Sequence, residues 1–340
     1  MATTSELGVY HAAGSSGKKP GGWTVIGTGR MGSSLALRLY NKGFYVRSLF
    51  NRSMESCREI AGLTKADCCR AFPRKLSDLG DVVFICLPDD QIEGFSKKMA
   101  GWLQLQTASG PSTRGAASLI DRSHESGEPV PTPARNAASR ISWVHTSGSL
   151  PAEILLPLSP DGSGIAAMHP VQTFTSHNRD TAFDDCFVTL QGDPELCSRL
   201  EGMVRKIGAR PLLMDEKSKM AVHLAAVIAC NYLAPLFAAS DDILQQNDVE
   251  LKARELFGPL VRQAVENLLT HPPEEVLTGP VVRGDPGTIE RHLTMLGRTP
   301  QWKALYCELG QAVLGISRNV KNRDNSQDDN LLELLTRGRS

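Results

Sequence analysis

The chain has 340 residues, with 37 basic and 37 acidic side chains and 41% hydrophobic residues. That length exceeds the usual single domain, so two hydrophobic cores are expected. A formal net charge of zero offers no electrostatic footprint for nucleic acid or an anionic membrane, so neither is expected as a partner.

Met1 to Pro20 is rich in Ser, Gly and Ala and lacks the apolar core of a secretory signal. It reads as a flexible leader on a cytoplasmic protein. Trp23-Thr24-Val25-Ile26 is a short β-rich run followed by the helical spacing of Met31, Leu35 and Leu39. Asn41-Lys42-Gly43 then stops the helix with a glycine, the residue suited to a left-handed C-terminal position. A second strand is expected over Phe44 to Phe50 and a helix near Met54 to Ala61. The apolar run from Val82 ends at Leu87-Pro88, as a buried strand stopped by proline would.

Asp90 to Leu103 reads as a helix, and 106–140, dense in Ser, Gly, Pro and Ala, as a mobile insertion. Strands follow at Ile141 to His145, Ile165 to Met168, Cys186 to Leu190 and Arg210 to Met214, with a helix over Leu196 to Ile207. Alternation of strands and helices predicts an α/β domain over 21–215 built on a parallel sheet, a Rossmann dinucleotide-binding domain. From Glu216 the pattern turns to long helices, so an all-α substrate and dimerisation domain is expected over 216–320, with a polar, disordered tail over 321–340. Ala221 to Ala239 is apolar but broken by His223, Asn231 and Pro235. It falls short of a clean membrane span and reads as a buried helix. Eight cysteines form no CxxC pair, so reduced thiols and no metal are expected.

Gly27-Thr28-Gly29-Arg30-Met31-Gly32 lies between the first strand and its helix. In such a loop Gly27 makes the turn, Gly29 lets backbone approach a pyrophosphate, and Gly32 lets helix and strand pack closely. The helix N-terminus then favours the anion. Where a carboxylate would take the ribose hydroxyl of NAD, the chain has Asn51-Arg52-Ser53. Arg52 can pair with a 2′-phosphate while Asn51 and Ser53 donate to it, so the expected cofactor is NADP. Leu87 and Pro88 should line the same cleft.

Further polar residues close the later strands: His145, Ser147 and Gly148 in one, His169 in another. Lys219, His223 and Asn231 sit at spacings of four and eight on an apolar helix. There a lysine could donate a proton to an oxyanion or orient a carbonyl or imine, with His223 relaying it. Arg283 and Asp285 could pair across a turn, and Thr288 and His292 share the face of the following helix. Its first turn offers N–H groups to an anionic substrate.

As a set, Gly27 to Gly32, Asn51-Arg52-Ser53, His145-Thr146-Ser147-Gly148, His169-Pro170, Lys219 with His223 and Asn231, and Thr278 through Leu293 resemble a known group. It is the Rossmann-like NADP oxidoreductase homologues with an all-helical C-terminal domain of unknown function. The resemblance implies an NADP-dependent reductase related in architecture to 6-phosphogluconate dehydrogenase, pyrroline-5-carboxylate reductase and ketopantoate reductase, and a homodimer through the helical domain. The expected reaction is reduction of a small keto or imino acid. A ketopantoate-reductase-like enzyme and a non-catalytic NADP-binding sensor or scaffold are the alternatives.

Overall fold

A computed structural model describes residues 21–108, 141–318 and 325–338. The described residues up to Ala226 form one compact unit and those from Val227 onward a second.

The first unit is an eight-stranded sheet: β1 (Trp23–Ile26), β2 (Val46–Phe50), β3 (Cys68–Arg70), β4 (Val82–Ile85), β5 (Ser142–His145), β6 (Ile165–Pro170), β7 (Phe187–Gly192) and β8 (Arg210–Leu213). Their spatial order is β3-β2-β1-β4-β5-β6-β7-β8. The chain leaves β1 in one direction and returns to place β4 on its other side. That reversal opens a crevice at the carboxyl ends of β1 and β4, where open α/β sheets take their ligands. The sheet is parallel except between β6 and β7, which run antiparallel. The link from β6 to β7, over 171–186, carries no crossover helix, and a parallel step usually has one.

Helices cover both faces. On one side α1 (Arg30–Asn41), α2 (Met54–Thr64) and α4 (Pro194–Lys206) pack Leu35, Leu39, Ile60, Leu200 and Val204 against Val25, Leu49 and Phe84. On the other, α3 (Asp89–Ala108) brings Ile92 and Met99 to Ile26, Val83, Ile85 and Trp143. Val25 and Ile26, like Val83 and Phe84, therefore serve opposite layers, as the two-residue period of a strand requires. Helix α3 continues to Ala108, past the start expected for the insertion. The remainder of that segment lies outside the described residues, as does the leader.

Helix α5 (Glu216–Ala226), a five-residue π turn (Val227–Asn231) and α6 (Leu233–Gln246) form one 31-residue helix. Its most apolar stretch has mean hydropathy 1.7 and none of it is buried within the chain, so the buried helix expected from the sequence is corrected. By length and composition alone this helix is long and apolar enough to cross a membrane, whereas Ala221 to Ala239 was expected to fall short of a clean span. The apolar side chains are there, but among the described residues no segment buries that stretch.

The second unit continues with α7 (Ala253–Leu256), α8 (Gly258–Thr270), α9 (Pro273–Val276), α10 (Pro280–Arg283), α11 (Pro286–Met295), α12 (Pro300–Arg318) and α13 (Asn325–Arg337). The tail expected to be disordered thus holds a helix. Leu331 and Leu335, four residues apart in α13, are buried with Val281, Ile289 and Leu314, and that one apolar stripe suffices to dock an otherwise polar segment.

Candidate functional site

The phosphate loop is built by sterics. Gly27 has φ +94°, a left-handed conformation in which a side chain is strained. A Cβ added there would collide with the Cys86 carbonyl oxygen, and one added at Gly32 with the Gly27 carbonyl oxygen. These two glycines let α1 start against β1 and β4. Gly29 differs: it is exposed, has an ordinary φ of −72°, and an added Cβ would meet no protein atom within 4 Å. Internal packing does not demand glycine at that position, whereas close approach of a phosphate to the head of α1 does.

Thr28 is buried, and its carbonyl accepts from Ser33 Oγ at 2.9 Å and Ser56 Oγ at 2.7 Å. These bonds tie the loop to α1 and α2. Arg30 is exposed and Met31 half-buried. At the end of β2, the Asn51 backbone N–H bonds the Arg70 carbonyl at 3.0 Å, and Asn51 Nδ2 donates to the Ser53 carbonyl at 3.2 Å. Ser53 caps α2 without a side-chain capping bond, and Arg52 is exposed with only a long, 3.4 Å bond to Gln91 Oε1. A guanidinium, a hydroxyl and a helix N-terminus thus follow one another directly after β2, groups of the kind that bind a phosphate. Leu87 is half-buried and Pro88 exposed where β4 gives way to α3.

The second cluster stands at the ends of β5 and β6. His145 is wholly buried; its Nε2 bonds the Pro151 carbonyl at 3.0 Å and its Nδ1 accepts the Ser147 N–H at 3.2 Å. That pattern fixes a neutral imidazole with the proton on Nε2. Burial is the main cause holding its pKa down, to about 4. Ser147 Oγ accepts the N–H groups of Ser149 and Leu150, and Ser149 Oγ donates to Asp89 Oδ2 at 2.5 Å. Ser149 and Asp89 were not among the expected site residues, although each directly follows one, Gly148 and Pro88. Nothing in a linear sequence shows that these runs meet.

Lys219 is only 1% exposed, and its Nζ donates to the carbonyls of Ser147 at 3.3 Å, Gly148 at 3.0 Å and Leu150 at 2.5 Å. Burial pulls its pKa down, opposed by Asp89, Glu216 and Glu153. Three carbonyl partners nevertheless call for three donors, the full ammonium. His169 Nδ1 bonds the Thr146 carbonyl at 3.2 Å, and its ring lies edge-on to that of His223 with centroids 5.3 Å apart. Both rings turn a nitrogen toward Gly148. A Cβ there would lie 2.5 Å from His223 Nδ1 and 2.8 Å from His169 Nε2.

The structure therefore brings His145, Ser147, Gly148, His169, Lys219 and His223 together in the first unit. Asn231 does not continue their ridge as expected. It is exposed in the π turn, whose wider winding breaks the 3.6-residue register on which spacings of four and eight depend. In the second unit Asp285 caps α11, accepting from the Thr288 N–H at 3.0 Å and its hydroxyl at 2.6 Å. This local cap replaces the expected pairing with Arg283, which is exposed, and occupies an N–H expected to face substrate. His292 Nδ1 bonds the Tyr306 hydroxyl at 2.9 Å. No cluster of three or more metal-ligating side chains occurs among the described residues.

The neutral His145 has a thermodynamic consequence. The unfolded chain binds its proton near pH 6.5 and the folded protein only near 4, so stability is complete above 6.5 and lost as pH falls through that window. Urea unfolding should show a loss of roughly 3 kcal/mol between pH 7 and pH 4 from this group. A His145→Gln variant should remove most of that slope; an unchanged slope would contradict the neutral ring.

Residues 23–106 match the family described as NADP oxidoreductase, coenzyme F420-dependent, and residues 186–313 match domain of unknown function 2520. No curated protein matches the chain. Among solved structures, a candidate NADP oxidoreductase from Bacteroides fragilis is 21% identical with a TM-score of 0.64, covering 86% of this chain and 98% of its own. A protein from Thermotoga maritima is 22% identical with a TM-score of 0.59, covering 87% and 98%. An imine reductase from Myxococcus stipitatus in complex with NADP+ is 14% identical with a TM-score of 0.51, covering 94% and 100%. At these identities the likeness establishes the fold.

Proposed function

The chain joins an NADP oxidoreductase domain to domain of unknown function 2520, and from that premise we propose that it passes hydride between NADP(H) and a small keto or imino acid. One observation carries the reading: the glycine loop after β1 and the Ser147, His169 and His223 cluster after β5 and β6 share the carboxyl side of one sheet. Bound there, NADPH supplies a hydride; the chain supplies the phosphate cradle and polar groups for the reacting oxygen or nitrogen. Ketopantoate is one substrate of this class.

Arg52 sets the choice of cofactor. An Arg52→Ala variant should bind NADPH some 10- to 100-fold more weakly while NADH affinity holds, since one charge-assisted pair contributes about 1.5–3 kcal/mol. Fluorescence titration measures both, and equal losses for the two cofactors would remove Arg52 from this role. An NADPH-oxidation screen over keto and imino acids, ketopantoate included, tests the reaction. Tight NADPH binding with no turnover would leave the sensor or scaffold reading instead.

The helical unit belongs to the same proposal as the surface of a homodimer. Ile228, Tyr232 and Leu233 at the start of its long helix, and Leu260, Leu268 and Leu269 on α8, are all exposed. A second copy is the occupant proposed for these exposed side chains, because Asn231 and Pro235 interrupt the long helix as a lipid surface. Light scattering should give twice the chain mass without detergent. A monomer, or a protein soluble only with detergent, would contradict this.

A further inference from the structure

Lys219 has no proton to spare. Its three N–H bonds all point at backbone carbonyls in a buried setting, so giving one up would leave a buried acceptor unpaired. The residues it grips include Gly148, against which the nitrogens of His169 and His223 converge. A third group fixes the arrangement: the Thr146 carbonyl bonds His169 Nδ1, so in the neutral ring the proton sits there and Nε2 is a bare acceptor on the Gly148 side.

Resting on the oxidoreductase reading above, we infer that the His169–His223 pair is the proton-transfer centre of this site and that Lys219 is a positioning residue holding Gly148 against it. The groups facing the pair are the Lys219 ammonium from α5, Asp89 from the head of α3 and the Thr146 carbonyl after β5. Burial first, then the second ring and the neighbouring ammonium, oppose a charge on His169 and hold its pKa down, so a proton carried there is readily given up. In reduction of a keto acid, hydride forms a C–H bond at the carbonyl carbon and the π pair moves to oxygen. The oxygen takes the pair's proton, water refills the pair, and the cofactor leaves as NADP+. An imino acid follows the same balance with nitrogen in place of oxygen.

Imidazole NMR on the full chain, with and without NADPH, reads the pair without any substrate. His169 should titrate below the ordinary imidazole value, and His223→Gln should raise its midpoint. Gly148→Ala, which forces the rings apart, should abolish that effect of His223 while NADPH affinity stays within about threefold. With a substrate from the screen, His223→Gln should lower kcat at least about 100-fold and flatten the acidic limb of the pH profile. Lys219→Arg, which keeps a cation and donors, should lower kcat yet keep that limb. A His169 midpoint unmoved by His223→Gln would overturn the inference, as would a limb that follows Lys219 rather than His223. A screen without any substrate sinks the hydride-transfer reading alone, because the His169 midpoint still decides the pair.

Discussion

A Gly29→Ala variant is expected to keep its fold and lose about 100-fold in NADPH affinity, roughly 2.7 kcal/mol. Substitution of either other glycine of the phosphate loop confuses binding with folding, since Gly27 and Gly32 each sit against a carbonyl oxygen that a Cβ would strike. Gly29 separates the two. Its φ of −72° is open to alanine and its Cβ would meet no protein atom within 4 Å, so the melting temperature should hold or rise slightly. What the methyl obstructs is the approach of a pyrophosphate to the N–H groups at the head of α1. Fluorescence titration beside a melting curve checks both halves. Unchanged NADPH affinity would mean that the dinucleotide does not lie on this loop.

Lys219→Met should cost roughly 3–5 kcal/mol in urea unfolding, because three buried carbonyls lose their donor at about 1–3 kcal/mol each, less the desolvation cost the wild-type cation already bears. Methionine fills nearly the same volume, so the loss is polar rather than a cavity effect. The turn from Ser147 to Leu150 is where the damage should appear, and amide exchange should report opening of the Ser149 and Leu150 N–H groups now held by Ser147 Oγ. A loss below about 1 kcal/mol would show that the ammonium is not the clamp described.

Both variants concern residues that the sequence marks for attention, but only the fold separates their roles. The loop was legible because three glycines stand at fixed offsets between a strand and a helix; Gly27 and Gly32 answer local demands, a positive φ and close approaches to carbonyl oxygens, while Gly29 does not. The strands β1, β2 and β4 to β8 were legible as short β-rich runs. The edge strand β3, only three half-buried residues, has too little period to be seen. Helix α13 was missed for a related reason: polarity dominates its composition, while docking depends on Leu331 and Leu335 alone. The π turn also leaves no mark in hydrophobic spacing, so Asn231 was placed on a ridge it does not continue. Lys219 was picked out as a buried cation, yet its partners are backbone carbonyls some 70 residues away in sequence. Side-chain patterns carry no information about such carbonyls, so a clamp reads as a proton donor until the turn is placed.

The most direct test of the account is deuterium transfer from NADPH labelled on its nicotinamide ring, with the full-length protein, a panel of small keto and imino acids, and product masses read by mass spectrometry. The account predicts one product carrying one deuterium, formed with the wild type and at least about 100-fold more slowly with His223→Gln. NADPH bound tightly, with no deuterium passed to any acid, would contradict it.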